Sequence, residues 1–347
     1  MREHRLDWLV LVAVIAMLGC GGGSGVDVSV SNNNSGDNSE TNSTDPSGSG
    51  SPSAPIEKKG TIGYSAMDMG NPFFEIIKEN LEREAAKAGY DLIVEDAGTD
   101  VKAQAEHLEA FIAKRVAAIV LNPCDSISAG PIIKKANKQG IPVFTCDTQC
   151  VAEGIKIAGH VGTDNFGGGK LAGEAMVEVL GESGGKVFIV DYKAESCVLR
   201  VEGFLEVINA HNEGRERGRI EIVGQQDGGG NQSLGFLAAS AAIQANPDLA
   251  GLFAINDPSG IGAYTALEQA GKTQQVTIVA FDGEKQGRQA IKDGKFYADP
   301  IQFPDRMGIQ TIEKIVKYFK GEEFEVVTLL PTELYRKADA DKDPELE

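Results

Sequence analysis

From Thr61 onward the chain sets short, almost uninterrupted apolar runs between amphipathic segments, and it does so twice. TIGYSA, DLIVEDA, AAIVLNP and IPVFTCD are the strands of the first round, with helical patterns over 72–88, 101–115 and 128–138 between them. KVFIVDY, IEIVGQQ, LAGLFAIND and VTIVAFDG are the strands of the second, with helical stretches 199–211, 231–245 and 259–270. A strand that is apolar along its whole length has no face to give to water, so such strands belong to parallel sheets covered by helices on both sides. Gly89 and Gly140 stand where helices should stop. The expected fold class is therefore α/β, with two doubly wound parallel sheets in succession.

What precedes the first strand has a different character. Residues 1–20, MREHRLDWLVLVAVIAMLGC, open with Arg2 and Arg5 and continue in an apolar run from Trp8 to Leu18. That is the pattern of an export signal, too short for a permanent membrane span. The ending Met17-Leu18-Gly19-Cys20 resembles a bacterial lipobox, which makes Cys20 the candidate lipidation site; the alternative is an ordinary secreted protein with a spare cysteine. Residues 21–55 hold ten Ser, seven Gly and five Asn among 35, with three Val and one Ala as their apolar residues. Such a segment cannot bury enough surface to offset its ordering entropy, and residues 21–57 are expected to be a tether with a reach of roughly 30 Å. A lipid at one end and a folded body at the other make an exported protein, periplasmic or at the cell surface, held to a membrane by its anchor alone. The net charge of −18, without a dense basic patch, argues against nucleic acid as a partner.

In open α/β sheets ligands lie beyond the carboxyl ends of the strands. Reading outward from those ends gives Met67-Asp68 and then Asn71, Asn122-Pro123, Asp147-Thr148, Asn256-Asp257 and Asp282-Gly283. There is no GxGxxG turn, GxxxxGK[ST] loop or GxSxG elbow. The runs Gly167–Gly169 and Gly228–Gly230 lack those spacings and read as turns or a helix entry. Asp147 and Asp282 could be imagined as paired acids, but they lack a His, Cys or metal-like cluster nearby in sequence, and Asn256 has no acid–base chemistry. A strand-end Asp is as often a cap or turn residue. Five polar strand ends at one edge fit hydroxyl recognition better than bond breaking, so no catalytic residue, cofactor or metal is expected. Cys124, Cys146, Cys150 and Cys197 have no zinc-like spacing; Cys146–Cys150, or Cys124 with either, could pair in an exported protein, and buried thiols are the alternative. In MGNPFFEIIKEN, residues 69–80, two adjacent phenylalanines fall in a first helical turn, where one should point away from the core.

With these residues in view, the chain resembles the periplasmic ribose-binding protein family, the type I sugar-binding components of ABC transporters, over about 59–336. The marks are NPFF (71–74), LNPCDS (121–126), IPVFTCDTQ (141–149), HVGTDNFGGGKLAG (160–173), RVEGF (200–204), NPDLAGLFAIND (246–257), VAFDG (279–283) and IQFPDRMG (301–308). The resemblance implies a first lobe, 58–163 completed by 303–331, and a second, 164–302 completed by 332–342, before an acidic tail 343–347. Three crossings near 163–164, 302–303 and 331–332 would form the hinge. It implies that Asn71, Asp147, Arg200, Asn256, Asp282 and Gln302 bond sugar hydroxyls, while Phe73 and Phe74 pack against the sugar. Asn71 can cap the helix that Pro72 opens. Met67, Thr148 and Gly230 stand where ribose binders have serine, arginine and phenylalanine; Met67, Thr148 and the neighbouring Asp68 remain candidate ligand contacts. The ligand is then a ribose-like pentose, a hexose or a sugar alcohol. The expected partner of this monomer is an ABC permease, or alternatively a transmembrane kinase or chemoreceptor. Replacing Asp147 or Asp282 by alanine is expected to abolish binding without unfolding the protein.

Overall fold

The structure, a computed structural model, describes residues 58–347; the expected leader with Cys20 and the tether 21–57 lie outside the described residues. The apolar runs form two six-stranded sheets. Strands β1 (Gly60–Ala66), β2 (Tyr90–Asp96), β3 (Ala118–Leu121), β4 (Val143–Cys146) and β5 (Gly159–Thr163) belong to the first. Strands β6 (Gly185–Asp191), β7 (Ile220–Asp227), β8 (Leu249–Ala254), β9 (Thr277–Val279) and β10 (Ala298–Ile301) belong to the second. The chain then returns to the first sheet as β11 (Val327–Leu330) and ends in the second as β12 (Glu333–Arg336). The orders are β11-β5-β4-β3-β1-β2 and β12-β10-β9-β8-β6-β7.

The first sheet is parallel throughout. The second departs from the expected parallel pattern at one edge, where β12 runs antiparallel to β10. Connectivity explains this: β10 runs toward the crossing, and β12 starts from it only two residues after β11, so it must run away. An antiparallel edge on a parallel sheet is common.

Helices cover both faces. In the first sheet, Ile62, Tyr64 and Val120 point to α1 (Pro72–Ala88), while Ile119, Leu121 and Val143 point to α2 (Val101–Ala113) and α3 (Gly130–Lys138). In the second, Val187, Ile189 and Phe253 lie under α4 (Asn165–Leu180) and α5 (Glu195–Asn212). Val190, Leu252 and Ala254 lie under α6 (Gln232–Ala245), α7 (Asp257–Ala270) and α8 (Lys285–Lys292). The alternation within each strand is the two-residue period of the pleat. Helix α9 (Pro304–Lys320) carries the chain back to the first body, where Ile312 and Ile315 join its core, and the short α10 (Lys337–Ala340) follows β12. The chain thus passes between the bodies after β5, after β10 and after β11.

The glycine run 167–169 is a helix entry, inside the first turns of α4. A Cβ on Gly169 would run into the carbonyl of Arg200, and one on Gly203 into the carbonyl of Phe166. The two helices meet backbone to backbone, which fixes where α5 carries Arg200. Gly169→Ala is therefore expected to destabilise the protein by about 1–3 kcal/mol through overpacking, exceeding the roughly 1 kcal/mol that Ala gains over Gly in a helix. Urea unfolding checks this, and unchanged or raised stability would place α5 elsewhere.

Candidate functional site

The carboxyl ends of strands from both sheets open onto one cavity. Met67, Asp68, Asn71, Phe73, Phe74 and Asp147 line it from the first body, and Arg200, Asn256, Asp282 and Gln302 from the second and its crossing. Asn71 caps α1, its Oδ1 accepting from the Phe73 backbone N–H at 2.8 Å, with Pro72 in the first turn. The rings of Phe73 and Phe74 stand edge to face, 5.3 Å apart and 87° inclined. Both belong to the apolar core and both border the cavity. The first turn of α1 sits at the edge of the sheet, so the helix face that leaves the core looks into the cavity instead of water.

Arg200 organises the opposite wall. It is buried, its Nη1 donates to Asp282 Oδ1 at 2.7 Å and to the Ile255 carbonyl at 2.7 Å, and its Nε donates to Asn165 Oδ1 at 2.8 Å. The guanidinium carbon lies 3.9 Å from the centre of the Phe281 ring. Burial opposes the charge of Arg200, but Asp282, Cys197 and Asp147 together outweigh it, so the guanidinium pKa rises. Nη2 has no partner among the described residues. Gln302 Nε2 adds a bond of 2.6 Å to the same Asp282 oxygen, and Gln302 Oε1 accepts from Thr163 Oγ1 at 2.6 Å, tying two crossings together.

Asp147 and Asp282 share a backbone signature: φ is +65° and +120°, a region that residues other than glycine seldom occupy. Such strain is retained where the surroundings over-determine it, commonly at binding sites. The Asp147 backbone N–H donates to the Val161 carbonyl at 2.8 Å, but its carboxyl is sparsely partnered. Its Oδ2 accepts from Thr148 Oγ1 at 3.2 Å, and Oδ1 has no partner among the described residues. Burial pushes its pKa up to about 6, with Arg200 pulling the other way.

Thr148, a candidate ligand contact, does not line this cavity. Its hydroxyl is turned to Asp147, and it borders two adjoining hollows. Asn122 is likewise internal, its Nδ2 donating to the Cys146 carbonyl at 2.7 Å. Asn256 reaches the cavity while capping α7 through Ser259 N–H at 3.1 Å and donating to the Gly230 carbonyl at 2.9 Å. All four cysteines among the described residues are free thiols, the alternative to the three possible pairings of Cys124, Cys146 and Cys150. Thr99, Tyr192, Ser196 and Cys197 also line the cavity and were missed. A signal existed for three of them: Tyr192 follows the last residue of β6, and Ser196 and Cys197 precede Arg200 by four and three positions, the spacing of one helix face.

Behind Asp282 lies a group of buried acids. Asp257 and Asp299 are fully buried, and the Oδ1 of each has no hydrogen-bond partner among the described residues. Asp257 Oδ2 accepts from Glu284 N–H at 2.7 Å and Asp299 Oδ2 from Gly283 N–H at 3.2 Å, which anchors the turn after Asp282. Both carboxyl oxygens of Glu284 are buried and lack a partner among the described residues. Burial first, then neighbouring carboxylates, push Asp299 up to about 7 and Glu284 up to about 8. No group of three or more His, Cys, Asp or Glu among the described residues is arranged to hold a metal ion.

Comparison with known proteins gives a consistent result. The family described as "Periplasmic binding protein domain" matches residues 62–323. The ribose import binding protein of Salmonella typhimurium is 33% identical over 273 residues, covering 78% of this chain and 88% of that protein. The ribose import binding protein of Escherichia coli is 32% identical over the same length and shares. A solved ABC transporter periplasmic solute binding protein from Actinobacillus succinogenes, with bound D-allose, superposes with a TM-score of 0.76 at 28% identity; 82% of this chain and 100% of that one are covered. A solute binding protein from Bacillus halodurans, with bound myo-inositol, gives 0.74 at 26%, covering 82% and 97%.

The buried acids make stability depend on pH. An unfolded glutamate titrates near 4.3, whereas Glu284 holds its proton to about 8. Below pH ~4 both states are protonated and the difference vanishes; between there and pH 8 only the unfolded chain releases the proton, which favours unfolding by up to about 1.4 kcal/mol per pH unit. Glu284→Gln is therefore expected to melt increasingly above the wild type as pH rises from 5 to 8. A constant gap across that range would mean Glu284 is ionised in the folded protein.

Proposed function

This chain belongs to the periplasmic binding protein family, among its ribose-binding-like members, and from that premise we propose that it captures a monosaccharide between two lobes and delivers it to an ABC-type importer. The observation that carries the reading is the wall built by Arg200, Asp282 and Gln302, with Arg200 Nη2 unengaged among the described residues, facing a cavity that Asp147, Asn71 and two phenylalanines close from the other side. A carboxylate accepts from adjacent hydroxyls, a guanidinium donates to ring and hydroxyl oxygens, and charge-assisted bonds are the stronger ones. Phe73 and Phe74 offer apolar surface to the C–H side of a ring. With Arg200 paired to Asp282, the wall has no surplus positive charge to recruit an anion, so a neutral polyhydroxyl ligand suits it. A wrong epimer leaves a buried partner unpaired, at roughly 1–3 kcal/mol each.

The lobe assignment carries the mechanism. Ligand contacts come from both bodies, so the ligand favours the closed arrangement by differential affinity, and the three crossings absorb the hinge motion. Ribose, allose and myo-inositol are the ligands named for relatives and neighbours, which supports a pentose, a hexose or a cyclic sugar alcohol here. Their description as import binding proteins favours delivery to a permease over sensing. Cys20 would carry the lipid and residues 21–57 the tether, and a single chain supplies every proposed contact, as a monomer would.

A melting-temperature screen of the full chain against pentoses, hexoses and sugar alcohols tests the reading. A ligand at a hundred times its Kd stabilises the native state by about 2.7 kcal/mol, and one sugar is expected to do so. A shift with another ligand class and none with sugars would overturn the assignment. Asp147→Ala is the clean variant: it should abolish the shift and leave the unliganded melting temperature nearly unchanged. Asp282→Ala departs from the earlier expectation, because it strands the buried Arg200; removing one partner of a buried pair costs about 3–5 kcal/mol.

A further inference from the structure

Tyr192 stands where the second body most lacks a side chain. Gly230 has φ +64° and presents only backbone to the cavity; a Cβ built there would lie 3.5 Å from Tyr192 Cδ1 and 3.6 Å from Asn256 Nδ2. The Tyr192 ring therefore covers the direction in which a side chain at 230 would point. It is half-buried and packed on the second body's core. It borders the central cavity together with Arg200 and Asn256, and the adjoining hollow together with Met67 and Cys124 of the first body. Its hydroxyl has no hydrogen-bond partner among the described residues, whereas most polar groups around it do. Burial, and after it the nearby Cys197, Asp227, Cys124 and Asp68, hold the phenol in its protonated form, which can both donate and accept.

We propose that Tyr192 is a specificity-determining ligand contact, the aromatic wall that the second body supplies in the space Gly230 leaves open, with its hydroxyl reading one hydroxyl of the bound sugar. The inference rests on the carrier reading and sharpens it. Phe73 and Phe74 give the first body two aromatic faces, and Tyr192 gives the second body one, so a sugar ring meets aromatic surface from both sides of the cleft. Unlike phenylalanine, the tyrosine adds a polar requirement. The ligand it favours carries a hydroxyl at the end of the cavity bounded by Met67 and Asp68, beyond the group that Arg200 and Asp282 hold.

Titration calorimetry of the full chain with D-ribose, D-allose and myo-inositol tests this in the wild type, Tyr192→Phe and Tyr192→Ala. The wild type binds at least one of them; Tyr192→Ala weakens that sugar by about tenfold or more, and Tyr192→Phe weakens it by less. The discriminating readout is the ratio of affinities among the three ligands. A tyrosine that only braces the closed form weakens all of them equally and leaves the ratio unchanged, which would overturn the proposal, as would undiminished binding by Tyr192→Ala. Tyr192→Phe binding like the wild type would overturn the role of the hydroxyl. If the wild type binds none of the three, the carrier reading for these ligands falls and takes this inference with it. Should Tyr192→Ala fail to fold, Tyr192→Leu, which keeps most of the volume, gives the same comparison.

Discussion

The buried ion pair of Arg200 and Asp282 is the interaction around which the site is assembled. Taking both charges out of water costs several kcal/mol each, and a pair in such a place persists only where further hydrogen bonds and good geometry compensate. Here the compensation is drawn from most of the second body. Helix α4 contributes Asn165, the end of β8 the Ile255 carbonyl, the residue before Asp282 the face of Phe281, and the crossing after β10 the amide of Gln302. Gln302 passes the constraint to Thr163 in the crossing after β5. One guanidinium thus fixes helix, sheet and hinge together, and the close approach of α4 to α5 at Gly169 and Gly203 is what lets it do so.

The acids behind Asp282 have meaning only beside that pair. Were Asp257, Asp299 and Glu284 all ionised next to Asp282, four like charges would face a single guanidinium in a medium that screens poorly. Their raised pKa values keep protons among them; burial raises Asp282 as well, and there Arg200 pulls the other way. The backbone N–H groups of Gly283 and Glu284 then hold the turn in the φ +120° conformation of Asp282, which a free loop would leave. Across the cleft the Asp147 backbone is bonded to the Val161 carbonyl, but no buried acids among the described residues back its carboxyl. Its carboxyl has one weak partner in Thr148 and is the group whose environment a bound hydroxyl ligand would change most.

The fold was legible because it depends on period and position. Strands apolar from end to end, such as AAIVLNP and LAGLFAIND, admit few architectures, and the strand-end rule then named the edge where polar residues gather. Elements without that signature were not found from period alone: β10, Ala298–Ile301, contains Asp299 and Pro300, and β12 is half polar. Their places follow from pairing with distant strands, which no local pattern encodes. In the site, Asn71, Asp147, Arg200, Asn256, Asp282 and Gln302 reach the cavity, while Thr148 lies past the left-handed backbone of Asp147, with its hydroxyl on the Asp147 carboxyl rather than in the cavity. Tyr192 went unremarked since a strand-end aromatic looks like core until the neighbouring Gly230 is seen to leave it uncovered. Asp257 was read as a polar strand end, but the burial that raises its pKa, and those of Asp299 and Glu284, has no signature in sequence, where all three resemble surface acids.

The proposed closure sets a quantitative demand on this cavity. Moving a two-state hinge from mostly open to mostly closed requires the ligand to prefer the closed form by about 5.5 kcal/mol. Hydrogen bonds to charged groups contribute about 1.5–3 kcal/mol each, so two to four must exist only in the closed form. Contacts within one body do not count toward this, because they form equally in the open state. Under the proposed mechanism, with the ligand held first by Asp147 and Asn71, bonds to Arg200 and Asp282 on closing would supply two such contacts, the lower end of that number. The direct bond between Ser126 Oγ of the first body and Glu195 Oε2 of the second, at 3.0 Å, lies partly exposed to water and adds at most about 1.5–3 kcal/mol. It falls short of the requirement alone. Under the proposed carrier function the ligand would therefore supply the greater part of the closing free energy.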